Sequence, residues 1–189
     1  ECAVEVQKTL AVEAYRSSVN MASERGAFPI YDTKREENNP MIDRIRTADP
    51  ALYEQMAKVG RRNISLLTIA PTGTTSLMTQ TTSGIEPVFL PFYIRRRKVN
   101  PNDKNVVITF KDDVGDCWEE YYVFHHKFLT WCEVNGIPAE DVKKMSVKEV
   151  EELVEKSPYH RATSADIDWV AKVKMQGSIQ KWVDHSISV

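Results

Sequence analysis

Apolar residues recur at helical spacing over much of the chain, and this pattern predicts more helix than strand. Over residues 2–25 apolar side chains return every three or four positions, and Gly26 ends the run. Asp49 followed by Pro50 is typical of a helix start, because aspartate accepts hydrogen bonds from the first turn and proline needs no donor there. Helices are predicted over residues 2–25, 41–47, 50–58, 115–134 and 146–156, with a last helix introduced by residues 163–166.

The last two predicted helices have a recognisable cap and a recognisable buried face. Ser146 and Glu149 have the spacing of a capping box, in which each side chain bonds the backbone N–H of the other residue. The final helix is predicted to bury one side, made of Trp169, Val170, Val173, Ile179 and Trp182.

Strands are predicted where branched apolar residues run together over a short length. Residues 64–70, Ile-Ser-Leu-Leu-Thr-Ile-Ala, have the length and composition of a buried strand in a parallel sheet. A polar loop and the start of a helix follow directly. Residues 106–110 predict a second short strand, after an aromatic stretch over 88–99 and a turn over 101–104. Helices combined with a parallel-type strand indicate the α/β class.

Length, charge and cysteine content exclude several classes of protein. The 189 residues carry 25 Lys and Arg against 27 Asp and Glu, a net charge of -2, which excludes a strongly basic nucleic-acid-binding protein. No apolar run approaches the roughly 20 residues of a membrane-spanning helix. Three cysteines do not form a disulfide framework, so a reducing compartment, the cytoplasm, is expected. Both ends fall within patterned sequence, and we expect a piece of a longer protein.

The loop Pro-Thr-Gly-Thr-Thr-Ser over residues 71–76 carries the most chemical information. It connects a predicted strand to a helix, whose first N–H groups have no partner in the helix and whose dipole favours negative charge. Gly73 lets a ligand approach the backbone, and the neighbouring hydroxyl groups are hydrogen-bond donors. An anion, most often phosphate, suits such a site. The alternative is that these residues only cap the helix. No lysine follows, so the loop is not a P-loop.

Acidic and basic residues near this loop each have two interpretations. Glu86, in the turn of residues 81–87, lines the same end of the sheet as the loop or faces solvent. The run Arg-Arg-Arg-Lys over residues 95–98 is interpreted either as a phosphate-binding group or as a solvated strand edge whose charge nearby acids balance. Arg61 and Arg62, just before the predicted strand, have the same two interpretations.

A metal site is a further hypothesis for the predicted helix over residues 115–134. The possible ligands are His125, His126, Cys117 and Cys132. However, the two histidines are adjacent and therefore point to different helix faces, whereas zinc sites use pairs that share a face. The recurring aromatic residues of this helix are typical of a hydrophobic core.

Two motifs in the correct order carry a resemblance to a known family. Residues 62–76, Arg-Asn-Ile-Ser-Leu-Leu-Thr-Ile-Ala-Pro-Thr-Gly-Thr-Thr-Ser, and then 83–87, Ser-Gly-Ile-Glu-Pro, closely resemble the large, catalytic subunit of ribonucleotide reductase. The likeness extends to residues 15–29, whose helix ends in Glu-Arg-Gly-Ala-Phe-Pro, and to 180–188, Gln-Lys-Trp-Val-Asp-His-Ser-Ile-Ser.

The resemblance implies a fold and an activity. The chain would be the C-terminal part of a ten-stranded α/β barrel, a helix-rich fragment of the catalytic barrel domain over residues 1–189. This family reduces the 2′-hydroxyl of ribonucleotides by radical chemistry and so makes deoxyribonucleotides. The matching loop holds the phosphates of the substrate, so the implied phosphate-binding residues are Thr72, Gly73, Thr74, Thr75 and Ser76. Glu86, in the second motif, lines the site without an assigned role.

The resemblance also implies a cofactor and partners. The form Pro-Thr-Gly-Thr is more similar to the adenosylcobalamin-dependent branch, in which the cobalt–carbon bond supplies the radical. The implied partners are a ribonucleoside di- or triphosphate, a thioredoxin-like reductant and the remainder of the same polypeptide. Neither a nucleic acid nor a membrane is an expected partner. No cofactor or metal is expected to bind this piece by itself.

The chain departs from the family in its cysteines. The family uses a thiyl-forming cysteine in an Asn-x-Cys-x-Glu motif and two more that form a disulfide, and Cys2, Cys117 and Cys132 match none of these. We therefore expect no catalytic residue here and no activity of the isolated chain. Residues 101–163, where the resemblance is weak, are predicted to be a variable helical insertion. A helical interaction or regulatory module and another phosphate-binding enzyme domain stay open as alternatives.

Overall fold

The computed structural model describes residues 1–103 and 105–188. Its chain divides into a first unit, Glu1–Thr72 with the chain from Asp168 onward, and a second unit, Gly73–Ile167. The predicted turn over residues 101–104 includes Lys104, which lies outside the described residues. In chain order the elements are α1 (Cys2–Arg25), a 3₁₀ turn (Thr33–Glu36), α2 (Pro40–Ala48), α3 (Pro50–Val59), α4 (Gly73–Thr79), β1 (Phe92–Val99), β2 (Phe110–Lys111), β3 (Cys117–Phe124), α5 (His126–Val134), α6 (Ala139–Val142), α7 (Val147–Lys156) and α8 (Trp169–Gln180).

The sequence prediction is confirmed for helices α1, α2 and α3. The residues at their ends explain why the helices begin and stop where they do. Helix α1 ends at Gly26, whose φ of 80° lies in the left-handed region that glycine adopts without strain. Asp49 caps α3 by accepting a hydrogen bond from the Leu52 N–H at 2.9 Å. This bond and the Arg16 guanidinium, 2.6 Å away, hold the pKa of Asp49 below its usual value.

The core of the first unit forms where these three helices pack together. Apolar side chains on one face of each helix meet there, and the branched and aromatic ones are almost fully buried. The buried residues of this core are Ala11, Tyr15, Val19, Met41, Ile42, Ile45, Leu52 and Met56.

A buried cation follows α3 in the first unit. Arg61 is only 3% exposed, and its guanidinium forms a two-pronged ion pair with the Glu36 carboxylate at 2.5 and 2.6 Å. Three aromatic rings surround the guanidinium, with centroids 5.3 to 5.8 Å away, in Tyr15, Phe28 and Tyr31. Two of its other N–H groups donate to the carbonyls of residues 63 and 64. Arg61 therefore fixes the chain as it enters the extended segment that follows.

The second unit is built on a three-stranded antiparallel sheet in the order β1-β3-β2. Helices α5, α6 and α7 pack on it and form a separate core of Phe124, Phe128, Cys132, Val142 and Val150. Ser146 and Glu149 form the predicted capping box at the start of α7. Residues 101–163 thus carry two strands and three helices, and their being a variable insertion stays a prediction.

The helix predicted over residues 115–134 is wrong in its first half. Residues 117–124, Cys-Trp-Glu-Glu-Tyr-Tyr-Val-Phe, form β3, and a helix begins only at His126. Aromatic and branched side chains favour a strand once a partner strand is available, and β1 pairs with β3 along its whole length. The strand predicted over residues 106–110 is shorter than expected, because β2 consists of Phe110 and Lys111 alone.

The last helix begins later than predicted. Thr163 and Asp166 do bond each other, with the Thr163 hydroxyl donating to the Asp166 carboxylate at 2.6 Å, but they close a local turn. Helix α8 starts at Trp169, where Asp168 accepts from the Ala171 N–H. The predicted buried side is also partly wrong, because Trp169 is 72% and Val173 61% exposed, whereas Ile179 is buried.

No helix among residues 1–103 and 105–188 combines the length and the apolar character that a membrane crossing requires.

Truncating Phe128 tests the core of the second unit. Phe128 is fully buried on α5, so Phe128→Ala is expected to lower the free energy of unfolding by about 3–5 kcal/mol. The matched control is Val134→Ala on the same helix, which is 82% exposed and should change it by less than about 0.5 kcal/mol. Urea unfolding followed by circular dichroism measures both, and equal midpoints for the two variants would contradict the assignment of this core.

Neutralising Glu36 tests the buried ion pair. Glu36→Gln leaves the Arg61 guanidinium buried without its counter-charge, which is expected to cost about 3–5 kcal/mol of stability. Asp43→Asn removes the exposed Arg46–Asp43 pair and is the control, with an expected cost below about 1 kcal/mol. If both variants unfold at the same urea concentration, the pair contributes no more than a surface contact.

Candidate functional site

The extended segment over residues 64–70 pairs in parallel with the end of the described chain. The backbone N–H of Ile69 donates to the Ser186 carbonyl at 2.9 Å, and the N–H of Ser188 returns to the Ile69 carbonyl at 2.8 Å. The N–H of His185 donates to the Leu67 carbonyl at 3.1 Å, and the bridge between Ile69 and Ile187 is parallel. The strand predicted over residues 64–70 is therefore not formed as a regular strand, because the described residues show one isolated parallel bridge in an otherwise extended segment.

The burial predicted for this segment is not observed. Ile64 is 61% exposed, and Leu66 and Leu67 are half-buried. A strand that is buried on both faces needs cover on both faces. Within the described residues the segment pairs only with residues 185–188, so its burial stays partial.

The predicted phosphate loop leads from the extended segment over residues 64–70 into α4. The boundary between the two units falls between Thr72 and Gly73, and Gly73 is the first residue of α4. Gly73, Thr74 and Thr75 are exposed, and together with Ser76 they form the first turn of the helix. A β-carbon added at Gly73 would lie more than 4 Å from the surrounding atoms. The space that a ligand needs to approach this backbone is therefore open.

The hydroxyl groups of the loop are not equivalent. Ser76 is 8% exposed, and its hydroxyl donates to the Gly73 carbonyl at 2.7 Å inside the helix. Ser76 therefore stabilises the first turn, and its proton is not directed outward. Thr74 and Thr75 are exposed, as is Thr72 just before the helix. The sequence alone does not distinguish these roles, because Ser and Thr serve as caps and as ligands with the same atoms.

Glu86 is half-buried in the second unit and folds back over Gly84. One carboxylate oxygen lies 2.0 Å from the position that a β-carbon on Gly84 would occupy, so a side chain at that position would displace the end of the Glu86 side chain. Glu86 lines a cleft of ≈ 260 Å³ together with Thr82, Gly84 and His125. A neighbouring cleft of ≈ 310 Å³ is lined by Ser76 and His125 among others.

His125 has a partner that sequence reasoning missed. Its Nδ1 lies 2.7 Å from the Tyr159 hydroxyl, and its Nε2 is buried without a hydrogen-bond partner among the described residues. Burial, and then the nearby charges of His126 and Lys127, lower the pKa of His125. No sequence signal connects residues 34 positions apart, so only the fold identifies this pair.

The metal hypothesis finds no support in the described residues, which contain no group of three His, Cys, Asp or Glu side chains able to hold a metal ion. Cys132 is fully buried in the core of the second unit, and burial raises the pKa of its thiol. Cys117 is 4% exposed on β3, and Cys2 is exposed on α1.

The basic run over residues 95–98 lies on β1, where Arg95 is opposite Tyr121 and the other three residues pair with acids. Arg96 pairs with Glu120 at 2.5 Å, Arg97 pairs with Glu119 at 2.6 Å, and Lys98 pairs with Asp116. The interpretation as a solvated strand balanced by acids therefore describes this run better than phosphate binding. Arg61 is also paired, and the Arg62 guanidinium donates to the Gly26 carbonyl at 3.4 Å.

Two curated relatives match about half of the chain. Both are named vitamin B12-dependent ribonucleoside-diphosphate reductase, from Mycobacterium tuberculosis strains CDC 1551 / Oshkosh and ATCC 25618 / H37Rv. Each is 32% identical over 94 residues, which is 49% of this chain. The chain spans about a tenth of the length of these relatives, since the match covers 11% and 10% of them.

A family of protein domains matches along the whole chain. Residues 1–189 match the family described as "Ribonucleotide reductase, barrel domain". The motifs over residues 62–76 and 83–87 lie inside this match. The chain therefore belongs to the barrel-domain family of the ribonucleotide reductase large subunit.

Proposed function

We propose that this chain supplies the substrate phosphate-binding segment of a ribonucleotide reductase catalytic subunit. The proposed ligand-binding residues are Thr72, Gly73, Thr74, Thr75 and Ser76. One observation carries the proposal: an extended segment with a parallel bridge leads directly into a short helix that starts with an uncovered glycine. Ligands of α/β proteins collect at the carboxyl ends of such strands.

The first turn of α4 has the chemistry that a phosphate requires. The leading N–H groups of a helix lack partners within the helix and carry partial positive charge. Thr74 and Thr75 add exposed hydroxyl donors at the same turn. Ser76 contributes by holding the turn in shape, because its hydroxyl bonds the Gly73 carbonyl. Glu86 lines a cleft of the second unit and has no assigned role in phosphate binding.

Ion pairs elsewhere in the described residues make several basic side chains less suitable as anion sites than the loop. Four cationic side chains that the sequence offers as phosphate ligands, Arg61, Arg96, Arg97 and Lys98, already face carboxylates. An anion at any of them would compete with an existing ion pair. The backbone of the loop carries no such counter-charge of its own, since residues 71–76 contain no acidic side chain.

The finer features of the parent protein are proposals as well. We propose that the chain is the C-terminal part of a ten-stranded α/β barrel in a cytoplasmic enzyme, with a ribonucleoside di- or triphosphate as substrate and a thioredoxin-like protein as reductant. The names of the relatives support adenosylcobalamin as the cofactor. That cofactor would supply the initiating radical. We assign no residue of this chain to the cofactor.

Substituting Gly73 tests the proposed site. Gly73→Ala places a methyl group where a phosphate would approach, without touching surrounding atoms. Losing one hydrogen bond to a charged group costs about 1.5–3 kcal/mol, so the KM for ADP and CDP in the full-length reductase is expected to rise about tenfold to a hundredfold. The control is Gly177→Ala on α8, which is exposed and also meets no atom within 4 Å. An unchanged KM for Gly73→Ala would refute phosphate binding by the loop.

The isolated chain is expected to be inactive. None of Cys2, Cys117 and Cys132 lies in the Asn-x-Cys-x-Glu motif implied by the family resemblance, and two of them are buried in the described structure. Incubation with adenosylcobalamin, dithiothreitol and either ADP or ATP should yield no deoxyribonucleotide, while the full-length reductase assayed in parallel should. Product formation by the isolated chain would show that its cysteines suffice for the radical chemistry.

A further inference from the structure

His125 lies at the corner between β3 and α5 in the second unit. Its backbone N–H donates to the Pro91 carbonyl at 2.9 Å, and its own carbonyl accepts from the Phe128 N–H at 3.0 Å. Its imidazole reaches the turns over residues 157–166, where Nδ1 lies 2.7 Å from the Tyr159 hydroxyl. One side chain therefore joins the corner to the stretch of chain that follows α7.

Tyr159 attaches these turns to the core of the second unit. Its ring packs edge-on against the rings of Phe128 and His125, with centroids 5.8 Å away in both cases. A backbone bond adds to this contact, because the N–H of Ser164 donates to the Val88 carbonyl at 2.8 Å. The position of the turns therefore depends on the contact between Tyr159 and His125.

The surroundings of the imidazole suit its neutral form. Nε2 is buried and has no hydrogen-bond partner among the residues that the structure describes. In a neutral ring, Nδ1 and the Tyr159 hydroxyl satisfy each other whichever of the two donates. A protonated ring carries N–H groups on both nitrogens, so Nε2 becomes a buried, charged donor without an acceptor. Protonation therefore costs more with the ring in this position than with the ring in water.

The charged groups around His125 do not offset this cost. Burial lowers its pKa, and the nearby charges of His126 and Lys127 on its own helix lower it further. Burial also raises the pKa of Tyr159, so the hydroxyl stays neutral and supplies no counter-charge. Glu86, from the turn over residues 81–87, lines a cleft with His125 but leaves Nε2 without a hydrogen bond.

We propose that the His125–Tyr159 pair is a pH-sensitive latch, which holds the turns over residues 157–166 on the second unit at neutral pH and releases them when the imidazole gains a proton. Release brings Nε2 into water, where its N–H finds an acceptor. The closed form resists protonation, so its stability is complete above the ordinary histidine pKa of about 6.5. That stability is lost as the pH falls from there toward the lowered pKa of the closed form. The latch does not depend on phosphate binding by the loop.

Hydrogen exchange in the full-length reductase tests the latch. Mass spectrometry of peptides spanning residues 157–166 gives the protection of their amides at about pH 7.5 and about pH 5.5, corrected for the intrinsic effect of pH on exchange. One histidine with a lowered pKa in the closed form raises the open population by up to about tenfold between these values, so we expect protection to fall severalfold. Equal protection at both values would overturn the proposal. A matching loss in peptides of α7 would also overturn it, by showing general acid unfolding.

Two variants determine whether the effect belongs to His125. His125→Gln cannot gain a charge in this range, so its protection in the turns is expected to be the same at both pH values, whatever its level. His160→Gln is the matched control, because it removes an exposed histidine of the same turns that, with Arg161, acts on Asp166. The control should keep the full fall. A fall that persists in His125→Gln, or that disappears in His160→Gln, would overturn the latch.

Tyr159→Phe provides a test that does not need a substitution at His125. It keeps the ring that packs on Phe128 and removes the hydroxyl that meets Nδ1. We expect protection of residues 157–166 at about pH 7.5 to be severalfold lower than in the unaltered protein, since a net hydrogen bond contributes about 0.5–1.5 kcal/mol. Unchanged protection at this pH would show that the pair does not hold the turns.

Discussion

The first unit depends on the burial of one positive charge. A guanidinium removed from water is costly unless it is paired, and Arg61 meets that constraint with the Glu36 carboxylate and three aromatic faces. Satisfying it requires that α1, the 3₁₀ turn and the chain after α3 all come to one point. The direction in which the chain leaves that point is then set by the carbonyls that Arg61 also binds. The extended segment over residues 64–70 therefore inherits its starting position from an ion pair.

Helices α1, α2 and α3 could be predicted because their signals are local. Gly26, Asp49 and Pro50 act within a few residues of the ends that they define, and those ends lie where the sequence places them. The second unit was harder to predict because its decisive interaction is not local. Residues 117–124 satisfy a helical period when considered alone, and only their pairing with β1 makes them a strand. The acids opposite the basic run on β1 were the signal that a search for complementary strands would have found.

In the candidate site too, local features could be predicted from the sequence and long-range contacts could not. The loop over residues 71–76 was predictable because strand, glycine and helix start are consecutive in sequence. The contacts around it were not, since Asp184 reaches Leu66 across 118 positions and His125 reaches Tyr159 across 34. Charge alone also misleads, because three of the four cations in the most basic run already pair with carboxylates. The proposed phosphate site relies on backbone geometry in place of cationic side chains.

The long sequence separation between Ile69 and Ile187 has a consequence for the order of folding. Helices α1, α2 and α3 contact one another within 60 residues of the start, whereas the bridge between Ile69 and Ile187 joins segments on either side of the second unit. Closing so long a loop is entropically costly and slow, and the cost is recovered only when both segments are in place. We therefore expect the helical core to form before this bridge. In a newly made chain, the extended segment that leads into the proposed phosphate-binding loop gains its partner only after residues 184–188 have been synthesised.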